Sequence, residues 1–220
     1  MLPRSTLLSA LLLVLASCAG SEPGPSAFLY SHGQNWNPRP EAFLHCYDFS
    51  CRTTVRTSVT TIELARIEEQ FAGGAHDAAD ERMRIARAIA QWERIVGART
   101  GTAADIGSIR GDNWARPFQH DCIDESFNTT SYLMMMADRG WLRFHRVVYP
   151  SSRGFFSAQG LPHHAATIEQ NGTGRRFVVD TWFFDNGELP VVMPVEIWEK
   201  GWTPERDPRW HETDSNPGSR

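Results

Sequence analysis

The chain has 220 residues, 41% of them hydrophobic and 11% aromatic, with a formal net charge of −4. That composition builds a core and excludes a wholly disordered protein. The acidic balance, with no Lys/Arg cluster, excludes a nucleic-acid surface, and the length fits one domain rather than two.

The first segment, "MLPRSTLLSALLLVLASCAG", carries Arg4 and then an apolar run from Leu7 to Leu15. A membrane-spanning helix needs ~20 apolar residues, so the run suits a signal peptide over residues 1–17. Leu15-Ala16-Ser17-Cys18 resembles the bacterial lipobox, after which the cysteine carries lipid. Cys18 is therefore the expected lipidation site and the only expected membrane anchor. Ala19 after it implies an outer-membrane lipoprotein facing the periplasm. Residues 18–40, with "SEPGPS" and "NWNPRP", read as a tether, residues 41–202 as the folded domain, and residues 203–220 as a disordered tail.

Cys46 and Cys51, in "HCYDFSC", lie close together in a chain bound for an oxidising compartment, which favours a local disulfide. Their spacing is not that of a zinc knuckle. His32 and His45 lie nearby, but no metal and no cofactor is expected. Cys122 is left without a partner.

Three helices follow from apolar periodicity. The first is expected over 62–71, with Leu64, Ile67 and Phe71 on one side. The second is expected over 78–96, where Ile85, Ile89, Trp92 and Val96 share a face and Gly97 follows. The third opens at Cys122 and stops at Gly140, with Ile123, Phe127, Thr130, Met134 and Ala137 as its inward stripe. The period then changes to two. "WLRFHRVVY", "HHAATIEQ" and "RRFVVDTWF" read as strands, with a hairpin signal at Asn171-Gly172. Helices followed by an antiparallel sheet make an α+β arrangement.

Chemistry centres on Cys122. A helix N-terminus favours a thiolate by ~0.3–1 kcal/mol, whereas Asp121, Asp124 and Glu125 raise a thiol pKa. An imidazolium would decide the contest in favour of a reactive thiolate. A two-residue Asn171-Gly172 turn would set His163 directly opposite Asp180. A four-residue loop would set Ala165 opposite Asp180 and make His163 a diagonal neighbour. His164 points to the other face in either register, so hairpin parity selects His163. A carboxylate on one ring nitrogen orients an imidazole as a proton carrier.

"DCIDESFNTTSYL", "PHHAATIEQ" and "RRFVVDTWF" resemble the core of the transglutaminase-like cysteine-protease superfamily, including its bacterial periplasmic peptidases. The resemblance covers residues 119–184 and implies a papain/transglutaminase-like fold, with the nucleophile helix packed on an antiparallel sheet. It further implies Cys122 as nucleophile and Asp180 as orienting acid. The family's His-Ala pair matches His164-Ala165, so the resemblance selects His164 where parity selects His163. Gln119 is a candidate oxyanion donor beside the Cys122 backbone N–H. The "DNGELP" stretch matches no known pattern.

The expected function is a lipid-anchored thiol hydrolase or acyltransferase acting on an amide bond of a periplasmic protein or cell-wall peptide. The alternative is a non-catalytic envelope lipoprotein that uses the same fold to bind a partner.

Overall fold

The computed structural model describes residues 22–108, 112, 115–154 and 162–207. The expected signal peptide, Cys18 and everything beyond residue 207 lie outside these residues. The chain is α+β, with helices arranged around a two-stranded and a four-stranded antiparallel sheet.

The expected tether contains structure. Helix α1 (Pro25–Ser31) starts with proline in its first turn and buries Phe28 and Leu29. Proline there is pre-set for a helix and has no N–H to lose. Two large apolar side chains then dock the turn against Cys46 and Phe127. The tether reading of residues 18–40 is corrected accordingly: from Pro25 onward the segment belongs to the domain.

Strands β1 (Phe43–Tyr47) and β2 (Thr53–Thr57) pair in register Phe43 to Thr57. Helix α2 (Thr61–Glu68) begins with a reciprocal Thr60–Glu63 capping box and tightens into a 3₁₀ turn over Glu69–Phe71. Helix α3 (Ala78–Thr100) is capped by Asp77 and buries Ile85, Ile89, Trp92 and Val96, as the periodicity predicts. It runs four residues past its expected end and stops at Gly101, whose φ is +90°. Gly97 is internal to the helix. A Cβ there would lie 2.9 Å from the Asn186 side chain, so glycine allows a close approach rather than a stop.

Helix α4 (Cys122–Asp138) is the central element, flanked by α1, α3, β1 and the larger sheet. Its surroundings overturn the expected single stripe. Phe127 and Thr130 are buried, but Ile123, Met134 and Ala137 are only half-buried, while Ser126, Asn128, Thr129 and Ser131 are buried. Protein covers the helix on several sides, so its polar residues face neighbouring elements. Asn128 shows the consequence: its amide accepts from the Cys46 N–H at 2.8 Å and donates to the Cys46 carbonyl at 2.9 Å.

The larger sheet has the order β3 (His145–Arg153), β4 (His163–Gln170), β5 (Arg176–Asp180), β6 (Val191–Pro194). The hairpin joining β4 and β5 uses four residues, 171–174, closed by the Arg175 carbonyl accepting from the Gln170 N–H at 2.8 Å. Gly172 and Gly174 both take positive φ. Ala166 pairs with Val179 and Glu169 with Arg176. The two-residue turn is therefore corrected to the four-residue alternative, which makes His163 a diagonal neighbour of Asp180. Asn-Gly opens this loop but does not complete it, because Gly174 supplies a second left-handed position.

After β6 the chain turns through α5 (Val195–Trp198) and ends the described region in a 3₁₀ turn over Pro204–Arg206. Asp207 is buried and accepts from Trp202 Nε1 at 2.8 Å. Residues 203–207 thus leave the expected disordered tail and join the domain. The main core lies between α3, α4 and the sheet, where Trp92 stacks on Tyr132 with centroids 5.1 Å apart and Phe43 meets both edge-on. Among the described residues no helix is long and apolar enough to cross a membrane.

Candidate active-site cleft

Cys122 occupies the first position of α4. Asp121 is the N-cap, accepting from the Ile123 and Asp124 N–H groups at 2.9 and 3.0 Å. Asp124 returns a bond from the Asp121 N–H at 3.0 Å, completing a capping box. This cap does not engage the Cys122 N–H, which inclines to the residue's own sulfur at the mouth of the helix.

The acids read in the sequence as acting against a thiolate mostly serve another purpose. Asp48, Phe49, Ser50 and Cys51 have successive positive φ values of 65°, 68°, 58° and 53°. A left-handed non-glycine residue costs roughly 1–2 kcal/mol, so four together need strong compensation. Asp124 accepts from the Phe49 N–H at 2.8 Å and the Cys51 N–H at 2.6 Å, and Asp121 accepts from the Ser50 N–H at 2.9 Å. The left-handed run forms a concave nest of N–H groups, and the carboxylates at the start of α4 fill it. The Cys46–Cys51 disulfide closes the same loop. Burial and then the neighbouring Asp121 push the Asp124 carboxyl up to about 7. Glu125 turns away from the loop to accept from Thr181 Oγ1 at 2.6 Å. Of the three local acids, Asp121 alone is left to act on the thiol through charge.

The strands deliver the histidine. His163 opens β4, and its Nε2 lies 2.8 Å from Asp180 Oδ2 at the end of β5. The same carboxyl oxygen accepts from Trp198 Nε1 at 2.7 Å. Asp180 is buried, and the His163 side chain is 13% exposed. The imidazole sits among Trp182, Phe183 and Trp198, with centroids 4.8, 5.4 and 5.3 Å away. Its Nδ1 has no hydrogen bond among the described residues. Arg153 covers the indole of Trp198 at 4.3 Å and donates to the Trp198 and Trp202 carbonyls. None of Trp198, Trp182 and Arg153 was singled out from the sequence. The only cue is the aromatic density of "DTWFF" and "EIWEKGW".

His164 presents its ring to the opposite face, 6.5 Å from Phe28 of α1. Burial, then the charges of His163 and His32, lower its pKa. Its backbone N–H, rather than its ring, approaches the Cys122 sulfur. Gln119 does not line the cleft. It is buried, and its amide accepts from the Ile106 N–H at 3.1 Å and donates to the Ala104 carbonyl at 3.2 Å. The oxyanion role expected of Gln119 is thus corrected: its side chain holds the loop after α3.

Cys122, His163 and His164 line one cleft of about 970 Å³, together with Ser50, Asp121, Arg153, Trp182, Phe183 and Lys200. The sulfur lies 3.8 Å from the Pro162 carbonyl. Burial raises the thiol pKa to about 12; the His164 N–H opposes this, and the charges of Asp121 and Asp180 add to it. The expectation of a preformed thiolate is overturned. The helix N-terminus, worth ~0.3–1 kcal/mol, does not offset that desolvation, so at neutral pH the sulfur carries its proton.

The unplaced "DNGELP" stretch has a structural task. Asp185 accepts from the Gly107 N–H at 2.9 Å, and Gly187, at φ +82°, donates to Glu93 on α3 at 2.9 Å. The segment ties the cleft wall to the helical layer. No family model, curated protein or solved structure matches this chain.

Proposed function

We propose that this protein is a thiol hydrolase or acyltransferase of papain/transglutaminase-like architecture, held at the periplasmic face of the outer membrane by lipid on Cys18. Its substrate is an amide bond in an envelope protein or cell-wall peptide. One observation carries the reading: His163, held from behind by buried Asp180, and the Cys122 thiol come from different elements and line the same cleft.

The chemistry follows from the resting thiol. Because Cys122 holds its proton, activation coincides with attack. His163 takes the thiol proton on Nδ1 while sulfur bonds to the substrate carbonyl carbon. The carbonyl oxygen gains the negative charge and meets the Cys122 N–H at the helix start. The C–N bond then breaks, and the departing amine receives the proton from His163. Water, deprotonated by the same ring, releases the acid and restores the thiol; an amine in place of water gives transfer. Asp180 holds the ring and stabilises its charged form, and Trp198 in turn holds Asp180.

The second reading, a non-catalytic partner-binding lipoprotein, is favoured by the thiol's pKa of about 12. The two are separated by incubating the folded protein with isolated cell-wall peptides and envelope proteins, with and without a primary amine, and analysing products by mass spectrometry. Cleaved or amine-modified peptides that vanish with Cys122→Ala establish the enzyme. Substrate that is retained but never altered establishes the binding module.

A further inference from the structure

A second cluster is buried at the start of α4, among residues that do not line the cleft. Asp105 follows the 3₁₀ turn after α3, His120 precedes α4, and Glu125 lies in the helix's first turn; all three are buried. His120 Nδ1 is 3.1 Å from Asp105 Oδ2 and 3.1 Å from Glu125 Oε1. Neither oxygen is aligned with the ring nitrogen for a hydrogen bond, so Nδ1 is a buried polar atom aimed between two carboxylates. We propose that Asp105, His120 and Glu125 form a structural site for a divalent first-row transition-metal ion.

The separations suit such an ion. Ligand atoms about 2.0–2.2 Å from one centre stand roughly 3 Å apart, which matches the two nitrogen–oxygen separations of 3.1 Å. The three donor atoms all lie within 4.8 Å of one another. Each ligand is also held from behind, as metal ligands generally are. Asp105 Oδ1 accepts from the His120 N–H at 2.7 Å, and Glu125 Oε2 accepts from Thr181 Oγ1 at 2.6 Å. Each carboxylate therefore presents its other oxygen inward.

The far side of the imidazole is arranged in the same sense. His120 Nε2 lies 3.4 Å from His45 Nε2, while Tyr132 and Thr102 hydroxyls meet His45 at 3.4 and 3.1 Å. The His45 ring thus backs the far edge of the imidazole, and an ion takes Nδ1 once that nitrogen has given up its proton. Glu93 supplies a further oxygen nearby: its Oε2 accepts from the Gly187 N–H, and its Oε1 has no partner. It can accept from a water carried by the ion. One imidazole nitrogen with carboxylate oxygens suits Zn²⁺ or Mn²⁺ better than Ca²⁺ or Mg²⁺, which take oxygen alone.

An ion on Nδ1 takes the place of a proton there, so binding releases protons. The site would fasten α4 beside Cys122 to the loop after α3, and through Thr181 to the end of β5, whatever the chemistry of the cleft.

The test uses the full chain with its disulfide intact, stripped with a chelator and titrated with Zn²⁺ or Mn²⁺ alone. The expected result is one ion per chain retained through gel filtration, at least one proton released per ion, and a raised Tm. Asp105→Asn and Glu125→Gln should each weaken retention about 100-fold. Anomalous scattering from metal-loaded wild-type crystals, which needs no variant, should place the ion among Asp105, His120 and Glu125. No retained ion, an ion located elsewhere, or retention indifferent to both substitutions in folded protein overturns the site.

Discussion

Two histidine–carboxylate pairs in this molecule have the same 2.8 Å separation and opposite surroundings. His145 Nδ1 meets Glu81 Oε1 with both side chains fully buried, and its Nε2 faces Arg82 at 3.2 Å. Glu81 also accepts from the Arg143 and Phe144 N–H groups. Burial pushes its carboxyl up, but His145 and these amides outweigh it and leave it lowered. Every polar position is used, so the pair is a rivet between α3 and β3. His163 instead spends one ring nitrogen on Asp180 and lines an open cleft with a thiol. A short His–carboxylate distance therefore does not mark a site. The difference lies in the second ring nitrogen, committed in His145 and without a hydrogen bond among the described residues in His163.

The comparison can be broken by substitution. His163→Ala should lower turnover per folded molecule by ~10³–10⁴-fold, since it removes the proton carrier, and should also lower Tm by stranding buried Asp180. Asp180→Asn should lose about 10²-fold, because the amide still accepts from Trp198 but no longer stabilises a charged ring. Glu81→Ala should do the reverse, costing about 3–5 kcal/mol of stability by stranding buried donors, with turnover per folded molecule unchanged. His164→Ala should change turnover by less than roughly threefold, its ring lying on the other face. Peptide-cleavage kinetics paired with thermal melts of each variant check all four.

The thiol sharpens the contrast through pH. Its folded pKa, about 12, lies above the ~8.5 of an unfolded cysteine. The folded state holds this proton where the unfolded state loses it, so Cys122 contributes stability below pH ~8.5 that is lost as pH rises towards 12. Cys122→Ser should therefore flatten the alkaline fall in Tm. Iodoacetamide should modify folded protein slowly at pH 7 and faster as pH climbs. A fall in Tm above pH 9 that is identical in wild type and variant would contradict the buried-thiol account.

Local patterns in the sequence located much of this. The alternation beginning at His163 marks the start of β4 to the residue, and the apolar spacing of α3 names its buried face. Parity does not depend on the loop length, because a shift of two residues keeps His163 on the face of Asp180. Asp121 and Asp124 also match the spacing of a capping box, a signal available from sequence that their charge obscured. Other features depend on contacts that no short window contains. Trp198 reaches Asp180 only after the chain has passed through β6, and Gln119 is spent on a loop fifteen residues upstream. Burial of the thiol is likewise a property of packing from several elements. Burial, which no local count of charges contains, is therefore the largest influence on the Cys122 thiol.

The central claim is that His163 activates Cys122. It is tested most directly by labelling the folded protein with a panel of short peptidyl acyloxymethyl ketones, followed by intact mass and peptide mapping. The account predicts one adduct per chain, on Cys122, at a rate cut by about 10²-fold or more in His163→Ala and unchanged in folded Glu81→Ala. No labelling of folded wild type, or labelling at the same rate without His163, would contradict it.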